Sequence, residues 1–112
     1  MVRHQGAPLA TDVEIARSLP ARMARLMFRR SVPEDFALVF PFETGGRRSV
    51  AMVFGPTPID VLWGTHNQVT WRSTLTPWTG FGRRFANTVI ELAPRAAGGV
   101  ADGDRVTVAA SD

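Results

Sequence analysis

Two carboxylates lie inside apolar runs, Asp60 in PTPIDVLWG (56–64) and Glu91 in NTVIEL (87–92). Two carboxyls facing one cleft can act as the acid and the base of a hydrolase. The competing reading is structural: a buried carboxylate is expensive unless an arginine or a backbone N–H partners it. A second constellation, WTGFGRRF (78–85), mixes aromatics (Trp78, Phe81 and Phe85), glycines and two arginines, Arg83 and Arg84. Such a composition suits stacking on bases or cradling phosphate, although Gly-x-Gly here has no third glycine at the dinucleotide spacing. A third is Arg22, Arg25 and Arg29, which at spacings of three and four share one helix face, with Arg17 and Arg30 nearby and no acid between residues 15 and 33. That face is either solvated or set against an anionic partner or membrane surface.

Other chemistry lacks its residues. There is no cysteine, so disulfides, thiol nucleophiles and thiolate ligands are excluded. The histidines are His4, in an expected tail, and His66, in an expected turn, and they form no zinc-like cluster. Neither metal nor cofactor is expected. His66 could serve Ser49 or Ser73 as a base, but no nucleophile elbow surrounds either serine. Of the three tryptophans, Trp63 and Trp71 read as core, whereas Trp78 sits between Pro77 and a Gly-rich loop, where an aromatic can be exposed as an anchor.

The elements that must position these residues are mostly strands. SLPARMARLMFRR (18–30) carries Leu19, Met23, Leu26 and Met27 at helical spacing, with Ser18 as N-cap, Pro20 in the first turn and Pro33 marking the end. It predicts the one helix. Beyond it the period is two. FALVFPF places Phe36, Leu38, Phe40 and Phe42 on one face, and Pro41 puts that strand at an edge or at its end. GGRR (45–48) predicts a turn before a strand over SVAMVF. PIDVLW is apolar on both faces and so central, with Asp60 sharing a face with Leu62. GTHN turns into QVTWR, NTVIEL is a further strand, and ADGD turns into RVTV. The expected fold is mainly β (α+β), a single compact sandwich or barrel-like domain of six to seven short strands and one short helix. Residues 1–10 are expected to be a disordered tail and 11–110 the domain.

A chain of 112 residues, 45% hydrophobic and 21% charged, is long enough to bury about two-thirds of its unfolded surface. No apolar run approaches the roughly 20 residues of a membrane span, and none of the first ten residues resembles a signal peptide, so a soluble cytoplasmic protein is expected. Thirteen arginines and no lysine give a net charge of +3. Codon usage in a GC-rich genome explains that bias, as does selection for binding phosphate or carboxylate.

RMARLMFR, ALVFPF, Met52 followed by PID (58–60), VIEL (89–92) and GDRV (103–106) resemble, in that order, the Domain of Unknown Function 192 family over about residues 12–109. The family implies a compact, mostly β fold with one helix and an unassigned activity. In its pattern Arg22 and Arg29 take the two arginine positions flanking Gly-Leu-Met, and Asp60 takes the embedded aspartate. The resemblance implies that Asp60 is held by one of those arginines or by backbone N–H groups, tying helix to sheet. The chain departs from the pattern at Arg25, where the family has Gly, and at Ala51–Gly55, where it has Trp-Met-Lys-Asn-Thr. Glu-Leu-Pro-Ala-Gly has become Glu91–Arg95.

These observations lead to an expected non-catalytic binding or interaction module for a small anionic ligand or a protein partner. Asp60, Trp78, Arg83, Arg84 and Glu91 are its candidate ligand contacts, and Arg22, Arg25 and Arg29 have structural or anion-contacting roles. The alternatives are an acid–base enzyme using Asp60 and Glu91, or a nucleic-acid accessory protein using the arginines.

Overall fold

The computed structural model describes residues 1–15, 34–51 and 57–109. Within them lie eight strands: β1 (Val2–His4), β2 (Ala7–Ala10), β3 (Asp12–Ile15), β4 (Phe36–Ala51), β5 (Ile59–Thr65), β6 (Gln68–Leu75), β7 (Phe81–Leu92) and β8 (Val106–Val108). They form a three-stranded sheet, β2-β1-β8, and a five-stranded sheet, β3-β4-β7-β5-β6. Every neighbouring pair is antiparallel except β3–β4. The molecule is mainly β, with a radius of gyration of 12.6 Å, close to the ~13 Å of a folded 100-residue domain.

Period-two patterning gives the large sheet two apolar faces. Ala37, Val39, Leu62, Ile90 and Leu92 meet Val2, Ala10 and Val106 of the small sheet, with Ala97 and Val100 from the loop after β7. Phe36, Leu38, Phe40, Ile59, Val61, Trp63 and Val89 line the opposite face. β5, buried on both faces, is central as its sequence predicts. At its end His66 and Asn67, both at positive φ (52° and 64°), make the tight turn into β6.

The large sheet curls. Trp63 pairs with Val89 on β7, yet a Cβ on Gly82, seven residues earlier in β7, would stand 2.6 Å from the Trp63 ring. Seven extended residues span about 23 Å, farther than an indole reaches, so β7 bends over the face that Trp63 occupies. Thr70 of β6 shares its hydroxyl between the carbonyls of Trp63 (3.0 Å) and Phe85 (3.2 Å), bringing the bent half of β7 beside β6. No ladder joins β6 to β7, so the sheet is not a closed barrel.

Several expectations need correction. GGRR is not a turn: β4 runs continuously through it, and Phe42–Gly45 bulge out opposite Asn87, between the pairs Pro41–Thr88 and Gly46–Ala86. Arg48 supplies the reason, donating to Thr44 O (2.6 Å) and Ala86 O (3.4 Å) and lying 3.8 Å over the Phe42 ring, which folds the bulge onto the strand. The first ten residues are no loose tail, since β1 is the middle strand of its sheet and Val2 is fully buried. The described residues alone hold eight strands rather than six or seven, and β4 and β7 are long, at 16 and 12 residues. The helix expected over 18–30, with Arg22, Arg25 and Arg29, lies outside the described residues, as does most of the altered segment 51–55.

Candidate functional site

Asp60 and Glu91 are the buried charged residues among those described, as their apolar surroundings predict. They do not converge. Asp60 stands opposite Leu92 and Glu91 opposite Val61, so neighbouring strands carry the two carboxyls on opposite faces of the sheet. They cannot act together on one bond. The Asp60 carboxyl accepts at both oxygens, from the Thr74 hydroxyl (2.7 Å) and from the Ala97 N–H (2.9 Å). It fastens the loop after β7 to the strand pair β5–β6 and is a structural group.

The exposed chemistry lies elsewhere. Beyond the bulge, Gly46–Ala51 of β4 pairs with Phe81–Ala86 of β7 as a two-stranded ribbon, which sets Arg47 opposite Phe85, Arg48 opposite Arg84 and Ser49 opposite Arg83. Gly82 faces inward against Trp63, so alternation turns Phe81, Arg83 and Phe85 outward. The large hydrophobics exposed among the described residues are Trp71 (39%), Trp78 (55%), Phe81 (63%) and Phe85 (57%), all on β6, β7 or the turn between them. Of the five arginines between residues 44 and 90, Arg47, Arg48, Arg83 and Arg84 are on the ribbon; Arg72 is on β6, where its backbone N–H donates to the Asp102 carboxyl (3.1 Å), and Glu43 is exposed in the bulge.

The arginines divide into two sets. Arg48 is spent on the bulge, and Arg84 stacks 4.3 Å from the Trp71 ring while donating to Arg83 O. Like charges directly opposite destabilise a sheet, and these two stacks draw the Arg48 and Arg84 guanidiniums toward rings on either side. The guanidiniums of Arg47, Arg72 and Arg83 are exposed and make no hydrogen bond or ion pair among the described residues.

Trp78 is exposed, as its neighbours predict, and its backbone is unusual. It sits at φ 67° with Thr79 N–H donating to Pro77 O (2.7 Å) and Gly80 N–H to Thr76 O (2.9 Å), a tight, strained turn for a bulky residue. Trp71, expected in the core, is half exposed because β6 is the edge strand. Phe81 and Phe85 are among the aromatics of WTGFGRRF, whereas Arg47 lies outside that stretch. The signal for Phe81 and Phe85 is the alternation F-x-R-x-F; Arg47 was hidden by reading GGRR as a turn.

Among the described residues neither histidine is hydrogen-bonded to a serine. His66 is exposed in its turn, and no hydrogen bond joins it to Ser49 or Ser73. His4 Nε2 lies 2.7 Å from Asp104 Oδ2, linking β1 to the turn before β8. The Ala101 N–H and the His4 ring hold the Asp104 carboxyl below the usual aspartate range.

The model of the Domain of Unknown Function 192 family, described as "Uncharacterized ACR", matches residues 1–108. The chain belongs to this family. Two crystal structures share its fold. One, a candidate transcription regulator from Sinorhizobium meliloti 1021, is 23% identical with a TM-score of 0.73, covering 85% of this chain and 79% of that one. The other, a protein of unknown function from Novosphingobium aromaticivorans DSM 12444, is 22% identical with a TM-score of 0.71, covering 86% and 74%. Among curated proteins none matches. For this member of the family, chemistry has to be read from its own side chains.

Proposed function

We propose that the chain is a non-catalytic binding module whose β4–β7 ribbon takes an anionic partner. The carrying observation is that two uncommitted guanidiniums, Arg47 and Arg83, share the outward side of the ribbon with the exposed rings of Phe81 and Phe85. Exposed apolar patches mark interaction surfaces, and a field of one sign selects the partner's charge. An acid–base reaction through Asp60 and Glu91 has no such support, because the two carboxyls lie on opposite faces. A cytoplasmic setting belongs to the same proposal, and the absence of cysteine is compatible with it.

The test is elution from immobilised heparin in a salt gradient. A variant with Arg47 and Arg83 changed to Gln is expected to elute at clearly lower salt than one with Arg3 and Arg105 changed to Gln, which removes equal charge elsewhere. Equal elution of the two would mean that net charge alone is read, and the ribbon would not be the site.

A further inference from the structure

The outward face of the ribbon has an order that net charge does not explain. Along β7 the sequence ring, cation, ring is presented by Phe81, Arg83 and Phe85, successive same-face residues standing about 6.8 Å apart. Arg47 stands beside Phe85 on the paired strand. A nucleic-acid strand has the matching order of base, phosphate, base. In a duplex the base faces are hidden in the stack, and an acidic peptide offers no flat faces, so neither uses the rings.

The Phe85 ring is also held in place. A Cβ on Gly45 would lie 2.6 Å from its Cζ, so the ring rests directly on the bare Gly45 backbone, in the bulge that Arg48 folds down. Phe85 is nonetheless 57% exposed: the ring is seated on Gly45 and still open to solvent. A ring fixed in this way loses little freedom when a base stacks on it. Trp78 is also exposed, on the strained turn leading into β7.

We infer that the ribbon is a stacking platform for single-stranded nucleic acid, with bases on Phe81 and Phe85 and phosphates at Arg83 and Arg47. This rests on the anionic-partner reading above and names the partner.

The experiment is fluorescence anisotropy of the whole chain with labelled strands of about 12 nucleotides, a length within the range such sites cover. The probes are oligothymidylate, oligouridylate, an abasic strand with the same phosphates, and a polyglutamate peptide. At least one base-bearing strand is expected to bind about tenfold tighter than the abasic strand, since stacking on one aromatic ring is worth that much or more. Changing both Phe81 and Phe85 to Leu, which keeps apolar bulk, is expected to bring the base-bearing strand to the abasic level. Gly45→Ala is expected to remove part of the same preference while leaving every ring in the sequence, and Arg83→Gln to reduce the slope of log affinity on log salt by about 0.7. Thermal melts of each variant establish that it is folded, and the comparison of strands on the unaltered protein needs no variant. Equal binding of abasic, base-bearing and polyglutamate probes would overturn base stacking and leave a general anion surface standing. Failure of all four probes to bind would overturn the anionic-partner reading as well.

Discussion

Asp60 accepts twice from within the fold, and the two donors differ in what happens when it goes. Thr74 is on an edge strand and can turn its hydroxyl to water, whereas the Ala97 N–H is buried and would be orphaned. Asp60→Ala is therefore expected to cost about 2–4 kcal/mol, combining an unsatisfied donor with a cavity. Asp60→Asn should cost only about 1 kcal/mol, because its oxygen can accept from Ala97 and its amide can donate to Thr74 Oγ1. Denaturant unfolding of both variants checks this, and equal losses would show that charge rather than hydrogen bonding holds the loop. The burial of Asp60 was legible in PIDVLW, since a strand apolar on both faces leaves a carboxyl nowhere exposed. Its partners were not, because Ala97 is 37 residues away and contributes a backbone group that every residue carries.

At the scale of elements, the β4 bulge depends on Arg48. Its guanidinium bonds two carbonyls and covers the Phe42 ring, which the point charge of a lysine cannot do at once. Arg48→Ala and Arg48→Lys are both expected to lose about 1–3 kcal/mol in unfolding measurements, with Lys recovering less than half. A Lys variant as stable as the original would show that charge alone suffices. The link between β1 and the turn before β8 should carry a pH signature. Asp104 has a lowered folded pKa, so its contribution is complete above the unfolded value of about 3.9 and disappears as pH falls through the folded one. The stability difference between the unaltered chain and Asp104→Asn is thus expected to shrink as pH falls below about 4, as followed by thermal melts. A difference unchanged at pH 3 would count against that linkage. The pattern GGRR misled because glycines suit a bulge as well as a turn, and only the pairing on both sides of residues 42–45 separates the two.

For the whole molecule, the small sheet is a lid on one face of the large one, and β1 is its middle strand. Removing residues 1–10 would leave β8 unpaired and expose Ala37, Val39, Leu62 and Ile90. Such a truncation is expected to lower Tm by roughly 10 °C or more, or to abolish the cooperative transition. A truncated chain melting within a few degrees of the full one would show that the lid is dispensable. On the other face β7 curls onto Trp63, whose indole N–H donates to Arg48 O (2.9 Å).

By itself the sequence determined what depends on neighbours along the chain. Period-two alternation made the molecule mainly β, placed Leu38, Phe40, Val61 and Trp63 in the core, made β5 central and buried Asp60 and Glu91. Local turn chemistry placed the His66–Asn67 hairpin, and five short motifs in order gave the family. Tertiary structure alone decided which residues share a surface. Register between β5 and β7 put the two carboxyls on opposite faces, and register between β4 and β7 brought Arg47 beside Phe85 across 38 residues of sequence. One residue of slip in either ladder would invert those placements, and register is set by the summed packing of a sheet that no local stretch contains.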